Sequence, residues 1–149
     1  MNKVEILQKS RLFDNLLPEE VEMLGELTVL RRYKPGDVVF EKDDVGDSLF
    51  IIVDGEVDVE HPQASGPSKK LATLGAPEFF GEMSLIDKEY RSASVRARTE
   101  CALLQLSNEN IHSFSKVYRE GFTWLVVNIA RVLSQRLRDA NRRFSERPA

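Results

Sequence analysis

The sequence lacks the features that mark secreted and membrane-spanning proteins. It holds a single cysteine among its 149 residues, Cys101, so no disulfide can form within the chain. No apolar run approaches the ~20 residues that a helix needs to cross a bilayer, and the opening stretch MNKVEILQKS has no apolar core of a secretory signal. We therefore expect a cytoplasmic protein with no membrane partner.

Histidines are also scarce, and this scarcity argues against a metal centre. The two histidines, His61 and His112, lie far apart in the chain and form no His-x-His pair, so an iron or zinc oxygenase of the cupin type is excluded. Cys101 begins an apolar segment and is expected to be a small buried residue rather than a nucleophile. We find no catalytic constellation, and we expect neither an enzyme nor a bound metal.

The charges show no excess that would favour nucleic acid. The net charge is −3, which argues weakly against a DNA or RNA partner. Basic residues do outnumber the acidic Asp139 and Glu146 near the C-terminus, and a solvated helix face is the expected explanation for them. These residues are Arg131, Arg136, Arg138, Arg142, Arg143 and Arg147.

The apolar pattern predicts three segments within one domain, residues 1–149, which is large enough to bury roughly 70% of its unfolded surface. Residues 10–27 have helical spacing and predict two short helices. From residue 28 to 106 the period changes to two, and turn sequences such as KPGD, DDVGD and DG recur. Residues 107–145 again predict helices. The expected fold class is α+β, mainly β: a β-roll (double-stranded β-helix or jelly roll) flanked by short N-terminal helices and a long C-terminal helix.

Seven strands are expected in the middle segment, with glycines at its turns. Gly36, Gly46 and Gly55 are interpreted as turn residues with positive φ, and HPQASGPS, residues 61–68, as an exposed hairpin loop. The predicted strands are Val29–Tyr33, Val38–Phe40, Ser48–Val53, Glu56–Glu60, Lys70–Leu74, Ala93–Ala97 and Cys101–Leu106.

The C-terminal segment predicts two helices and a contact between copies of the chain. Ser107 is a plausible N-cap for a helix that reaches about Ser115, and a longer helix follows from about Tyr118 to Phe144. An apolar stripe along the long helix predicts a homodimer. The stripe consists of Phe122, Val126, Ile129, Leu133, Leu137, Ala140 and Phe144.

The run FFGEMSLIDKEYRSASV, residues 79–95, places one arginine among small residues. The backbone N–H groups that follow Gly81 are expected to start a helical turn and attract an anion, with Arg91 as a bidentate partner for phosphate. Glu82 suits a sugar hydroxyl. Taken alone, however, Arg91 is also explained by a surface salt bridge to Glu89 or Asp87, and Glu82 by a favourable position at a helix start.

The sequence FGEMSL, a short spacer and RSASV resemble the phosphate-binding cassette of cyclic nucleotide-binding domains, of the catabolite activator and protein kinase A type. The resemblance extends over KPGDVVFEKDDVGDSLFIIVDGEVDV and covers roughly residues 10–144. It implies that Glu82 binds the ribose 2′-OH and Arg91 the cyclic phosphate. It also implies that Gly81, Met83 and Ser84 line the phosphate turn through backbone N–H groups, and that Ser92 and Ala93 are the small positions after the arginine.

The resemblance further implies a sensor without cofactor or catalytic activity, whose ligand is cAMP or, less favoured, cGMP. The C-terminal helix would then close over the base, with Leu133, Arg136 and Leu137 as the lid residues. One alternative is a structural or interaction module that keeps the fold without a ligand. Another is the regulatory part of a transcription factor. Such factors place a helix-turn-helix after this point, so we expect no DNA contact from a chain that stops at Ala149. The sequence does not identify the downstream effector.

Overall fold

The computed structural model of the protein describes residues 2–87 and 90–146, so Glu89 and Arg147 lie outside the described residues. The helices are α1 (Lys3–Gln8), a 3₁₀ helix (Arg11–Phe13), α2 (Pro18–Leu27), α3 (Met83–Asp87), α4 (Asn108–Val117) and α5 (Arg119–Ser145). The strands are β1 (Val29–Tyr33), β2 (Val38–Phe40), β3 (Ser48–Asp54), β4 (Glu56–His61), β5 (Lys69–Gly75), β6 (Phe79–Phe80), β7 (Ser94–Ala97) and β8 (Cys101–Ser107).

The strands form two four-stranded antiparallel sheets. The first sheet has the order β1-β8-β3-β6 and the second the order β2-β7-β4-β5. Ile51 lies opposite Leu104 in the first sheet, and Val57 lies opposite Ala97 in the second. Consecutive strands repeatedly change sheet, as in a jelly roll. The predicted fold class, a mainly β roll with flanking helices, is confirmed.

The two central strands of the first sheet are apolar because both of their faces are covered. Successive side chains of a strand point to opposite faces. On β3, Leu49 and Ile51 therefore pack with the helices, whereas Phe50 and Ile52 pack against the second sheet. On β8, Leu104 and Leu103 divide in the same way. The roll thus separates two cores, one shared with the helices and one between the sheets.

Helix α5 is fixed to the rest of the chain along its first half. Its buried residues are Gly121, Leu125, Asn128, Ile129 and Val132. The Asn128 side chain donates hydrogen bonds from Nδ2 to the backbone oxygens of Leu12, at 2.9 Å, and Asp14, at 2.7 Å. Farther along the helix Leu137, Ala140 and Phe144 are exposed. No helix within the described ranges is long and apolar enough to span a bilayer.

The predicted apolar stripe of α5 is partly wrong as an interface. Ile129 is buried in the helical core, and Phe122 and Leu133 pack partly buried against it. The face of α5 that packs inward is offset from the stripe and includes Gly121 and Asn128. An apolar pattern does not detect these two positions, because one has no side chain and the other is polar.

Three smaller predictions need correction. The first helical segment of residues 10–27 is a single 3₁₀ turn, and helix α1, capped by the Asn2 side chain, was not predicted. Strand β6 has two residues, too few to show a period. Gly36 and Gly55 do have positive φ angles, of 89° and 88°, whereas Gly46 does not.

Candidate functional site

A cavity of about 160 Å³ opens between the roll and helix α5. Its wall combines residues of five strands, of the 79–95 segment and of α5, and it includes every residue of that segment to which a ligand role was assigned. The lining residues are Phe40, Val59, Leu74, Phe80, Gly81, Glu82, Met83, Ser84, Tyr90, Arg91, Ser92, Ala93, Val95 and Arg136.

Arg91 is a buried cation, 7% exposed, that is held by backbone carbonyls. Its Nη1 donates to the Gly81 oxygen at 2.9 Å, and its Nη2 to the Ser48 oxygen at 2.8 Å. Its guanidinium lies 4.0 Å from the centre of the Phe40 ring. Burial lowers the pKa of Arg91, while Asp47, Glu82 and Asp44 raise it. The salt bridge to Asp87 that would explain Arg91 without a ligand is not present among the described residues.

The hydrogen bonds of Arg91 leave donors for an anion. A guanidinium has five N–H groups, and Nη1 uses its two on the Gly81 oxygen and, at 3.5 Å, on Ser84 Oγ. Nη2 uses one on Ser48. Within the described residues, Nε is buried and has no hydrogen-bond partner. One N–H on Nε and one on Nη2 therefore have no partner among the described residues, and two donors are what a bidentate contact with phosphate requires.

Glu82 is the matching anion on the same cavity wall, and it is 4% exposed. Burial raises the pKa of this carboxyl above its ordinary value of 4.5, although its own backbone N–H, Arg136 and Arg91 act in the opposite direction. A buried carboxylate beside a free cationic donor can accept from a hydroxyl while the cation holds an anion. The site therefore suits a ligand that carries both groups close together.

Arg136 reaches into the cavity from helix α5 and pairs with Glu82. Its Nη1 lies 3.4 Å from Glu82 Oε1, and its Nη2 donates to the Phe79 oxygen at 2.6 Å. The guanidinium also lies 5.2 Å from the centre of the Phe79 ring and 3.8 Å from a carboxylate oxygen of Glu78. Arg136 thus contacts the carboxylate predicted to bind ribose, and through this contact the long helix touches the candidate site directly.

The other two predicted lid residues do not belong to the cavity wall in the described structure. Leu133 packs partly buried against the helical core, and Leu137 is 62% exposed. Their role as a lid over a bound base stays a prediction.

Two glycines allow the backbone to approach Arg91. Gly81 has a φ of 81°, and a Cβ added to it would lie 3.0 Å from Arg91 Nη1. A Cβ on Gly46 would lie 2.5 Å from the Cβ of Ser84 and 3.2 Å from Arg91 Nε. Gly46 therefore packs against the candidate site, and it was interpreted as an ordinary turn because its neighbours in space are distant in sequence.

The apolar part of the cavity was also missed. Phe40, Val59, Leu74, Phe80, Tyr90 and Val95 come from β2, β4, β5, β6, β7 and the segment before β7. No local sequence signal separates these residues from ordinary core residues. Together they provide an apolar surface beside the charged end, which fits an aromatic base. Within the described residues, no group of three or more His, Cys, Asp or Glu side chains could hold a metal ion.

Comparisons with known proteins show the family of this chain. The family described as "Cyclic nucleotide-binding domain" matches residues 30–118. The chain is 34% identical over 135 residues to the cyclic AMP receptor protein of Thermus thermophilus, covering 91% of this chain and 61% of that protein. It is 36% identical over 94 residues to the cGMP-dependent protein kinase of Plasmodium berghei, covering 63% of this chain and 10% of the kinase.

A solved structure shows the same fold over nearly the whole chain. The crystal structure of a cyclic nucleotide-binding domain from Methylobacillus flagellatus superposes with a TM-score of 0.85 at 26% identity, covering 99% of this chain and 83% of that one. The protein belongs to the cyclic nucleotide-binding domain family. It spans about three fifths of the Thermus protein's length and a tenth of the kinase's.

Proposed function

We propose that this chain is a sensor that binds a cyclic nucleotide, cAMP in preference to cGMP, and responds by moving helix α5. The observation that carries the proposal is the shared cavity of Glu82 and Arg91, both more than nine-tenths buried. A cyclic nucleotide carries a ribose 2′-OH next to a cyclic phosphate, so one ligand satisfies both side chains. The Thermus relative is named as a cyclic AMP receptor, which supports cAMP as the first candidate.

In the proposed complex each polar group of the ligand has a partner. The free N–H groups on Nε and Nη2 of Arg91 bind the phosphate, together with backbone N–H groups of Gly81, Met83 and Ser84. Glu82 accepts a hydrogen bond from the 2′-OH, and Ser92 and Ala93 leave space beside the ring. The base then lies against the apolar wall that contains Val59 and Leu74.

The Glu82–Arg136 pair couples binding to the long helix. The carboxylate that accepts from the 2′-OH is already engaged with Arg136 at 3.4 Å. A ribose that hydrogen-bonds to Glu82 therefore displaces Arg136. The distal half of α5, which carries Arg136, moves with it. Leu133 and Leu137, which flank Arg136 on the helix, are then brought over the base. The output is conformational, and it needs no catalytic group of this chain.

A homodimer is part of the proposal, through a helix face that shares only Leu137 and Phe144 with the predicted stripe. Seven residues of α5 follow spacings of four and three, as in the a and d positions of a coiled coil. Each is exposed or half-buried: Thr123, Val127, Ala130, Ser134, Leu137, Asn141 and Phe144. Asn141 takes an a position, where one polar residue fixes the register of two helices. We call these seven residues the α5 seam.

Calorimetry with cAMP and with cGMP tests ligand binding. Arg91→Ala is expected to weaken cAMP binding by at least ~2 kcal/mol, because the phosphate loses its charged partner. Arg96→Ala is the matched control. Arg96 lies on β7, its Nε pairs with Glu60 at 3.2 Å, and its side chain does not line the cavity.

Arg91 also holds two backbone carbonyls, so thermal unfolding must show that each variant is folded before its affinity is interpreted. Wild-type protein that binds neither nucleotide at millimolar concentration would contradict the proposal and favour the interaction module. Equal affinity of wild type and a folded Arg91→Ala variant would contradict the assigned site.

A further inference from the structure

Asn108, the first residue of α4, contacts the candidate phosphate turn from outside the cavity. Its Nδ2 lies 3.3 Å from the Ser84 backbone oxygen and 3.4 Å from Ser84 Oγ. Its backbone N–H donates to the Asp47 oxygen at 2.8 Å. Asn108 is not part of the described cavity wall. It therefore acts on the site through other residues.

Ser84 is the residue through which Asn108 reaches Arg91. The Ser84 side chain is 4% exposed, donates to the Gly81 oxygen at 3.1 Å and accepts from Arg91 Nη1 at 3.5 Å. The β2–β3 loop closes over the same serine, since a Cβ on Gly46 would lie 2.5 Å from that of Ser84. Ser84 is thus held by its own turn, by the loop and, through Asn108, by α4.

The polar groups around Ser84 are not all satisfied, which is unusual for a purely structural contact. Among the described residues, Asn108 Oδ1 and Arg91 Nε are both buried without a hydrogen-bond partner. Leaving buried polar groups unpaired is unfavourable and rare in native proteins, so two such groups beside one serine require an explanation. Two oxygens of Ser84 accept hydrogen bonds from the Asn108 side chain. The Asn108 amide is therefore orientated with Nδ2, its donor, towards the serine.

We infer that Asn108 is a positioning residue for nucleotide binding, which rests on the proposed function. By holding Ser84, it fixes the Arg91 guanidinium and the phosphate turn relative to the start of α4. Helix α4 ends at Val117 and α5 begins at Arg119, so a displacement of the phosphate turn is passed to both C-terminal helices. This second connection to α5 is independent of the Glu82–Arg136 pair.

Two substitutions at Asn108 separate positioning from stability. Asn108→Ala removes the amide. Asn108→Asp keeps its size but removes the N–H donor, and a carboxylate in the first turn of a helix is favourable, so this variant is expected to fold. Asn110→Ala is the matched control: the Asn110 Nδ2, on the same helix, donates to the Leu27 oxygen at 3.4 Å, away from the cavity.

The readouts are the cAMP dissociation constant from calorimetry and the fluorescence change of Trp124, the single tryptophan, at saturating cAMP. Both Asn108 variants are expected to raise the dissociation constant about tenfold, the effect of one lost hydrogen bond to a buried group, and to reduce the Trp124 response. Asn110→Ala is expected to change neither. Wild-type affinity and response in Asn108→Asp would overturn the inference.

A third readout remains informative if the proposed function fails. Hydrogen exchange of the backbone amides of residues 82–87 is measured on ligand-free protein. Faster exchange in Asn108→Asp than in wild type and Asn110→Ala supports the role of Asn108 in holding the turn, and equal exchange overturns it. Failure of wild type to bind cAMP or cGMP counts against the proposed function alone.

Discussion

Glu82 and Arg91 were predictable as partners because one short segment carries both. Their separation is fixed by the local turn and α3, so sequence alone placed them on one cavity wall, which the structure shows. Gly46 and Asn108 were not predictable. Each approaches Ser84 from another part of the chain, and nothing in the sequence around either residue encodes that contact.

The raised pKa of Glu82 predicts a pH dependence of stability. Because burial raises this pKa above 4.5, the folded protein binds a proton more tightly than the unfolded chain. Its contribution to stability is therefore present below the ordinary value and is lost as pH rises through the raised value. Relative to Glu82→Gln, which does not titrate, the wild type should lose free energy of unfolding as the pH rises above 4.5.

Urea unfolding of both proteins at a series of pH values measures this difference. Glu56→Gln, at the exposed start of β4, controls for the loss of one carboxylate elsewhere. A difference between wild type and Glu82→Gln that stays constant with pH would show that the Glu82 pKa is not raised.

Among the secondary-structure elements, α4 and every strand except β6 were predictable from period and capping. The Ser107 side chain does accept from the Asn110 N–H, at 3.1 Å, as the N-cap assignment requires. Which face of α5 packs against the rest of the chain was not predictable, since two of the buried residues on that face are a glycine and an asparagine. Their environment depends on α2 and on the 3₁₀ helix, which approach from the other end of the chain.

The space around two helical glycines predicts opposite effects when each is replaced by alanine. A Cβ on Gly121 would lie 2.5 Å from Glu20 Oε2, and Glu20 Oε1 accepts from the Leu17 N–H at 2.8 Å at the start of α2. Gly121→Ala should therefore destabilise the protein by about 1–3 kcal/mol. On Gly25 a Cβ would meet its nearest atoms at an ordinary 3.5 Å, so Gly25→Ala should stabilise by up to ~1 kcal/mol.

Chemical denaturation of the two variants and of wild type measures their free energies of unfolding and tests both the predicted loss and the predicted gain of stability. A neutral or stabilising Gly121→Ala would mean that α5 can move away from Glu20 at little cost.

At the scale of the whole molecule, the cavity depends on the closed roll. Its apolar wall is assembled from strands that are distant in sequence and meet when the sheets pair. For this reason the charged half of the site was predictable and the base-facing half was not. The seven-residue α5 seam likewise emerged when the structure showed which helix face is already covered.

The α5 seam predicts a concentration-dependent dimer. Leu137→Lys places a charge at a d position of the seam and should shift the protein towards monomer in sedimentation experiments. Val117→Lys, at an equally exposed apolar residue at the end of α4, should leave the association unchanged. A wild-type monomer at high micromolar concentration, with and without cAMP, would rule out the interface.

The two hydrogen bonds from the Asn128 side chain to backbone oxygens fix α5 to the rest of the chain at one point along its length. Arg136 lies eight residues beyond Asn128, or about 12 Å along the axis, and Ser145 lies seventeen residues beyond it, or about 26 Å. If α5 rotates as a rigid body about Asn128, a sideways displacement of Arg136 is roughly doubled at Ser145. A displacement of Arg136 would therefore be about twice as large at the end of α5, where the α5 seam also ends.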